Sequence, residues 1–135
     1  MIKLIVGVKG SGKTKTMIEL VNVAAKETKG RIVCLEQGKK LIYDVKHTVR
    51  LVDVSEYNVT GFHTLLSFVS GILAADYDVT DIFIDSALKI GKEKVENMEM
   101  FLDGLKAIGE KNGCQFTVTV SADPDMLPEA VKAYC

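Results

Sequence analysis

Residues 7–14 read Gly7-Val8-Lys9-Gly10-Ser11-Gly12-Lys13-Thr14, directly after the mainly apolar run Ile2 to Val6. The stretch matches the pattern G-x-x-x-x-G-K-[ST] at every fixed position. In this pattern the glycines let successive backbone N–H groups point into one concavity. The helix that follows adds free N–H groups and the positive end of its dipole, which both favour an anion. We therefore expect a strand, a phosphate-binding loop and a helix in this order.

The pattern assigns a role to most residues of the loop. Lys13 is expected to reach the β- and γ-phosphates of a nucleotide, and the Thr14 hydroxyl to ligate Mg²⁺. The alternative is an ordinary glycine-rich turn with an exposed lysine, which the strand and helix on either side disfavour. The expected nucleotide-binding residues are Gly7, Lys9, Gly10, Ser11, Gly12, Lys13, Thr14 and Lys15.

The composition indicates one globular domain over residues 1–135. Hydrophobic residues make up 47% and charged residues 26%, which is close to the globular average. The net charge is −1 and the basic residues are scattered, so the sequence carries no electrostatic signal for nucleic acid. Lys39 and Lys40 are the only adjacent basic pair, and we expect them to be solvated surface residues.

Cysteine usage and hydropathy predict a reduced, cytoplasmic protein without a membrane partner. Cys34, Cys114 and Cys135 form no C-x-x-C pair, and the chain enters a strand at once rather than a signal peptide. No apolar run approaches the roughly 18 residues that a membrane-spanning helix needs.

Apolar runs and helical periodicity alternate along the chain. Strands are predicted at Ile2 to Val6, Arg31 to Leu35, Asp81 to Asp85 and Gln115 to Val120. Helices are predicted at Lys13 to Glu27, Gly61 to Leu73 and Lys92 to Lys111, with at most a short one at Met126 to Tyr134. Residues 39–54 suggest a hairpin or an edge pair of strands, built from Leu41 to Tyr43 and Val49 to Val54. The alternation predicts a three-layer α/β/α sandwich with a mainly parallel sheet.

In a parallel sheet of this kind, ligands bind outside the carboxyl ends of the strands. Glu36, Asp85 and Ser121 stand at those ends. Asp85 follows the apolar residues Ile82 to Ile84 and fits an aspartate that holds Mg²⁺ opposite Thr14. An apolar run that ends in aspartate is also common at ordinary strand exits, but the phosphate loop upstream favours the metal-binding role.

Together, the loop and Asp85 resemble the P-loop NTPases. The organisation resembles the additional-strand, RecA-like division of that superfamily, in which a strand is inserted between those that carry the loop and the metal-binding aspartate. The strand Gln115 to Val120 is expected to fill that place, with Ser121 as a sensor residue near the γ-phosphate. The chain also resembles a group of short bacterial P-loop proteins, some labelled after the twitching-motility ATPase. The resemblance implies binding of ATP with Mg²⁺, and a guanine-reading N-K-x-D motif is absent.

The candidate catalytic residues are Lys13 and Glu36. Many members of this division place a glutamate beside the metal-binding aspartate, whereas this chain has Ser86 there. Some RecA-like members carry the catalytic glutamate at the end of the second strand, which is the position of Glu36. Glu36 is expected either to act as a general base or to be a solvated turn residue. Gln37 is a weaker alternative for positioning the attacking water.

Three functions remain open from the sequence. The first is a slow Mg²⁺-dependent ATPase whose hydrolysis drives a switch or partner exchange. The second is a phosphotransferase that acts on a small acceptor. The third is a non-catalytic nucleotide-binding or interaction protein. No arginine is evidently placed to neutralise the phosphates, since Arg31 begins its strand at the opposite edge of the sheet and Arg50 would act only in trans across a homo-oligomer. Lys89 and Lys92, soon after Asp85, either approach phosphate or lie at a solvated helix start, and the second role is the expected one.

Overall fold

Five parallel strands form a single sheet in the order β1-β5-β4-β2-β3. The computed structural model describes all residues, Met1–Cys135. The strands are β1 (Ile2–Gly7), β2 (Arg31–Glu36), β3 (Arg50–Asp53), β4 (Val79–Ile84) and β5 (Gln115–Ser121). The predicted α/β class with a parallel sheet is confirmed.

The last strand in the sequence lies between β1 and β4, as expected. β5 pairs with β1 on one side, where Ser121 lies opposite Gly7, and with β4 on the other, where Val118 lies opposite Ile84. This order brings the carboxyl ends of β1, β5 and β4 side by side at one edge of the sheet. The loop after β1 and the residues after β4 are therefore close in space.

Helices cover both faces of the sheet. They are α1 (Lys13–Glu27), α2 (Phe62–Ala75), α3 (Ala87–Gly91), α4 (Met98–Asn112) and α5 (Glu129–Lys132). Side chains alternate along β2, so that Cys34 packs with α1 on one face while Val33 and Leu35 belong to the larger core beneath α2 and α4. The three layers follow from this two-sided burial. None of the helices combines the length and the apolar character that crossing a bilayer requires.

The segment after β2 agrees only in part with the predicted hairpin or edge pair of strands. Residues 40–45 form turns instead of a strand, and only Arg50–Asp53 joins the sheet, parallel to β2. Leu41, Val45 and Val49 are spaced four apart and all three pack into the core beneath α1. The backbone N–H groups of Asp44 and Val45 both donate to the carbonyl of Leu41, at 3.0 and 3.2 Å, and these bonds form a turn where a strand was expected.

Two predicted helices also have different bounds. The helix expected from Lys92 begins only at Met98, because Lys92 ends the short helix α3 in a left-handed conformation with a φ of 52°. A separate 3₁₀ turn at Val95–Asn97 precedes α4. Near the C-terminus, a 3₁₀ turn at Pro124–Met126 is followed by an α-helix at Glu129–Lys132, which is shorter than the predicted maximum.

Candidate nucleotide site at the carboxyl edge of the sheet

The loop between β1 and α1 has a backbone that only glycine accommodates easily. Gly10 and Gly12 have φ values of 83° and 89°, in the left-handed region that side chains rarely adopt. A Cβ at Gly7 would lie 2.3 Å from Oγ of Ser11, so the Ser11 hydroxyl would have to rotate away to make room for it. The N–H of Ser11 donates to the carbonyl of Val8 at 3.1 Å and closes the turn. The shape of the loop therefore favours glycine at positions 10 and 12.

Lys13 lies at the start of α1 and its side chain extends back over the loop. Its Nζ donates to the carbonyl oxygen of Val8 at 2.9 Å, and the residue is only 9% exposed. An ammonium group has three donors, so two remain for a ligand. The contact places a positive charge directly over the concavity of the loop.

Thr14 and Asp85 approach each other from α1 and from the end of β4. Oγ1 of Thr14 lies 3.3 Å from Oδ1 and 3.5 Å from Oδ2 of Asp85. Mg²⁺ prefers oxygen ligands at 2.0–2.1 Å in an octahedron, in which neighbouring ligands are about 2.9 Å apart. A hydroxyl and a carboxylate at nearly this separation fit a magnesium site in both chemistry and spacing.

Thr119 is a functional candidate that the sequence analysis missed. It lies fully buried on β5, and its Oγ1 donates to Oδ1 of Asp85 at 2.7 Å. The same oxygen accepts the backbone N–H of Ser86 at 2.6 Å. Thr119 therefore fixes both the Asp85 carboxylate and the backbone that follows it. The sequence did contain a signal for this role, since Thr119 is a polar residue between Val118 and Val120 in a strand predicted to be central.

The chain turns sharply after Asp85. Ser86 has a φ of 57°, a left-handed conformation that is unfavourable for a residue with a side chain. The backbone N–H of Asp85 still donates to the carbonyl of Leu35 at 2.9 Å, which continues the pairing with β2 for one residue beyond β4. The turn then starts α3 beside the loop.

A cavity of about 370 Å³ lies between the loop, α3 and the end of β5. It is lined by Lys9, Gly10, Lys13, Thr14, Lys40, Ser86, Leu88, Lys89 and Ser121. The structure thus brings five of the predicted site residues to one cavity: Lys9, Gly10, Lys13, Thr14 and Ser121. Lys15 is exposed on α1 and lies outside the lining, as do the loop residues Gly7, Ser11 and Gly12. Lys40, which was expected to be a solvated surface residue, also lines the cavity, as does Lys89, for which a phosphate contact and a solvated helix start were both open. Leu88 was not predicted.

Glu36 lies at the end of β2 and is 2% exposed, so it is not the solvated turn residue of the alternative interpretation. Its Oε1 accepts the backbone N–H of Lys40 at 3.1 Å and its Oε2 that of Leu41 at 3.2 Å. Burial raises the pKa of Glu36 above its ordinary value; the two backbone hydrogen bonds oppose this, while the charges of Asp85 and Asp53 add to it. The carboxylate thus anchors the loop after β2. Its role as a general base stays a prediction.

Comparisons with known proteins extend the description of the fold. No family model matches the sequence, and no curated protein matches it either. Among solved structures, the chain is similar to the flagellar accessory protein FlaH from Methanocaldococcus jannaschii, with a TM-score of 0.62 and 17% sequence identity. The similarity covers 98% of this chain and 65% of the FlaH chain. At this identity the similarity shows a shared fold and nothing about a shared ligand.

Proposed function

We propose that this protein binds ATP with Mg²⁺ on the loop Gly7 to Thr14 and hydrolyses it slowly, as a switch. The observation that carries the proposal is the approach of Thr14 to Asp85 at 3.3 Å, beside the loop over which Lys13 is held. A phosphate-binding loop and a metal-binding carboxylate would serve the same ligand, since Mg²⁺ would neutralise the charge of the phosphates that the loop holds. The loop Gly7 to Thr14 and Asp85 lie at the same edge of the sheet.

The proposed roles follow from the contacts. The loop N–H groups and Lys13 would bind the phosphate chain, and Thr14 and Asp85 would hold Mg²⁺. When bound, Mg²⁺ neutralises negative charge on the phosphates. Thr119 would keep the Asp85 carboxylate oriented, as a group behind a metal ligand commonly does. Ser121, which lies opposite Gly7 and lines the cavity, is the proposed sensor of the terminal phosphate.

Membership of the additional-strand division of the P-loop NTPases is part of the same proposal. The loop sequence, the place of β5 between β1 and β4, and Asp85 at the end of β4 all support it. The preference for ATP rests on the resemblance alone.

Nucleotide titration with a matched pair of variants tests the proposal. ATP, ADP and GTP are titrated with and without Mg²⁺ into the wild type, Lys13→Ala and Lys26→Ala, and phosphate release is followed. Lys26 lies in the last turn of the same helix, away from the loop. Loss of one charge-assisted contact should weaken ATP binding to Lys13→Ala by about tenfold or more, while Lys26→Ala binds normally. Equal binding by Lys13→Ala would refute the nucleotide site.

A non-catalytic nucleotide-binding protein is the second candidate. It is favoured by the two backbone hydrogen bonds that occupy Glu36, and by Ser86 at the position where a glutamate would stand. Under this alternative, the wild type would bind ATP and release no phosphate above background. Phosphate release that is lost in Lys13→Ala would exclude it.

A further inference from the structure

The cavity beside the loop carries more positive charge than the loop motif explains. Four lysines line it: Lys9, Lys13, Lys40 and Lys89. The ion pairs of the protein all lie elsewhere, and no carboxylate is among the lining residues. The loop supplies Lys9 and Lys13, of which only Lys13 stands at a fixed position of the motif. Lys40 and Lys89 therefore add two unneutralised charges that the motif does not require.

Lys40 differs from its neighbour in the direction of its side chain. Lys39 lies on the outer side of the loop, where its Nζ is 3.2 Å from Oε1 of Glu56. Lys40 lines the cavity instead, and its backbone N–H is held by the buried Glu36 carboxylate. The next residue, Leu41, is anchored to the same carboxylate and packs in the core beneath α1. The backbone that carries Lys40 is thus fixed at two consecutive residues.

Lys89 is presented to the same cavity by α3. Ala87 and Ile90 of this short helix are fully buried, whereas Lys89 is exposed between them. The sharp turn at Ser86 connects α3 directly to Asp85. The position of Lys89 relative to Asp85 is therefore fixed by a short connection and by the packing of α3.

The order of the strands indicates which phosphate these lysines would meet. The loop follows β1, Asp85 follows β4, and Lys40 follows β2, which is the next strand beyond β4. A phosphate chain that starts on the loop and extends across the cavity in the direction of Asp85 would end towards β2 and α3. We propose that Lys40 and Lys89 contact the terminal phosphate of the bound triphosphate and neutralise it within one chain. The inference rests on the proposed function.

Such a contact would supply the charge that an arginine supplies in many phosphoryl-transfer enzymes. Neither arginine of this chain lines the cavity: Arg31 pairs with Asp76, and Arg50 lies on the edge strand β3. Lysine provides a compact charge with three donors, which suits a terminal phosphate. The two lysines would bind a triphosphate and contribute little to a diphosphate.

This difference between triphosphate and diphosphate is the test. Affinities for Mg²⁺-ADP, a non-hydrolysable ATP analogue with Mg²⁺, and Mg²⁺-ADP with aluminium fluoride are measured by calorimetry. The variants are Lys40→Gln, Lys89→Gln and Lys40→Arg, with Lys39→Gln and Lys94→Gln as controls outside the cavity. Each glutamine variant at position 40 or 89 should bind the triphosphate and the aluminium fluoride complex about tenfold more weakly, with ADP affinity changed less than about twofold. Lys40→Arg keeps the positive charge and should bind the triphosphate nearly as tightly as the wild type does.

The other outcomes are equally decisive. Equal losses for ADP and the triphosphate, or a loss in Lys39→Gln as large as that in Lys40→Gln, would overturn the inference. The inference would also be overturned if the wild type bound the triphosphate and both Lys40→Gln and Lys89→Gln bound it equally well. A wild type that binds neither nucleotide would instead overturn the proposed function, together with this inference. Thermal unfolding of each variant shows whether a loss comes from unfolding.

Discussion

Oγ1 of Thr119 donates a 2.7 Å hydrogen bond to Oδ1 of Asp85, from a strand that lies next to the one Asp85 follows. The hydroxyl has a single proton, and this contact uses it. Its lone pairs accept the N–H of Ser86 at 2.6 Å. The buried threonine therefore determines the direction of the carboxylate and supports the strained turn behind it. Because the bond is made inside the sheet, the carboxylate is oriented before any ligand binds.

Thr119→Val should weaken Mg²⁺ binding without removing the loop. Valine has the same shape and no hydroxyl, so Asp85 loses a donor and the N–H of Ser86 loses its acceptor. Loss of a partner behind a metal ligand typically costs about 10- to 100-fold in metal affinity. The Mg²⁺ concentration that half-saturates ATP binding should rise at least about tenfold, while binding without Mg²⁺ is unchanged. Thr119→Ser keeps the hydroxyl and is the control; an unaltered Mg²⁺ requirement in Thr119→Val would contradict the assignment.

Glu36 and Lys40 should behave as one unit in a double-mutant cycle. Glu36 fixes the backbone N–H of Lys40, so Glu36→Gln, which keeps one acceptor oxygen, should disturb the placement of the lysine. Phosphate release and ATP affinity are measured for Glu36→Gln, Lys40→Gln and the double variant. We expect Glu36→Gln to reduce ATP affinity and phosphate release by a smaller factor in the Lys40→Gln background than in the wild type.

The same cycle tests the general-base hypothesis for Glu36. If Glu36 instead acts as a base on water, Glu36→Gln should abolish turnover and leave ATP binding nearly intact, whether or not Lys40 is present. Unchanged turnover in Glu36→Gln would remove Glu36 from the chemistry altogether.

The elements that could be predicted from the sequence are those fixed by local patterns. The loop is encoded within eight consecutive residues, and apolar runs identified the strands around it. The position of Asp85 near the loop could also be predicted, because the carboxyl ends of parallel strands meet at one edge of the sheet. The place of β5 came from the family resemblance, and the sheet order confirms it.

The residues that were missed depend on long-range contacts. Lys39 and Lys40 cannot be told apart by composition; their directions are set by the turns of residues 40–45, which Leu41 and Val45 anchor beneath α1. Asn22 of α1 adds hydrogen bonds to the carbonyl of Asp44 and the N–H of Lys46. No periodicity in the segment itself reveals these partners. For the same reason the first strand of the predicted hairpin or edge pair was wrong, whereas its second strand is present as the edge strand β3.

The raised pKa of Glu36 predicts how the stability of this protein depends on pH. A carboxyl whose pKa is higher in the folded chain holds its proton more tightly there than in the unfolded chain. Its contribution favours folding below its ordinary pKa of 4.5 and is lost as the pH rises through the folded-state pKa. Glutamine does not titrate, so Glu36→Gln should become progressively more stable relative to the wild type as the pH rises.

Urea unfolding at intervals from about pH 4 to about pH 7 measures this difference in the free energy of unfolding. Glu19→Gln, at an exposed position of α1, is the control for the loss of one carboxylate. A difference between Glu36→Gln and the wild type that stays constant with pH would show that Glu36 titrates as it does in the unfolded chain.

Substitutions at Gly91 and Lys92, which end α3, should change stability in opposite directions. A Cβ at Gly91 would lie 2.6 Å from the ring of Phe62, which stacks on Phe101 in the core. Gly91→Ala should therefore destabilise the protein by about 1–3 kcal/mol, as overpacking does. Lys92 has a φ of 52°, so Lys92→Gly relieves an unfavourable left-handed conformation. The gain should be about 0.5 kcal/mol after the extra freedom of glycine in the unfolded chain is subtracted.

These two variants also separate stability from ligand binding. Gly91→Ala pushes α3 away from Phe62 and should displace Lys89, so triphosphate affinity should fall along with the urea midpoint. Lys92→Gly leaves the buried side of α3 untouched, and its affinity should match the wild type while its midpoint rises. Lys92→Ala, which removes the side chain and retains the strained backbone, is the control for the lost charge. Equal stability of Lys92→Gly and Lys92→Ala would mean that the left-handed residue at the end of α3 costs nothing.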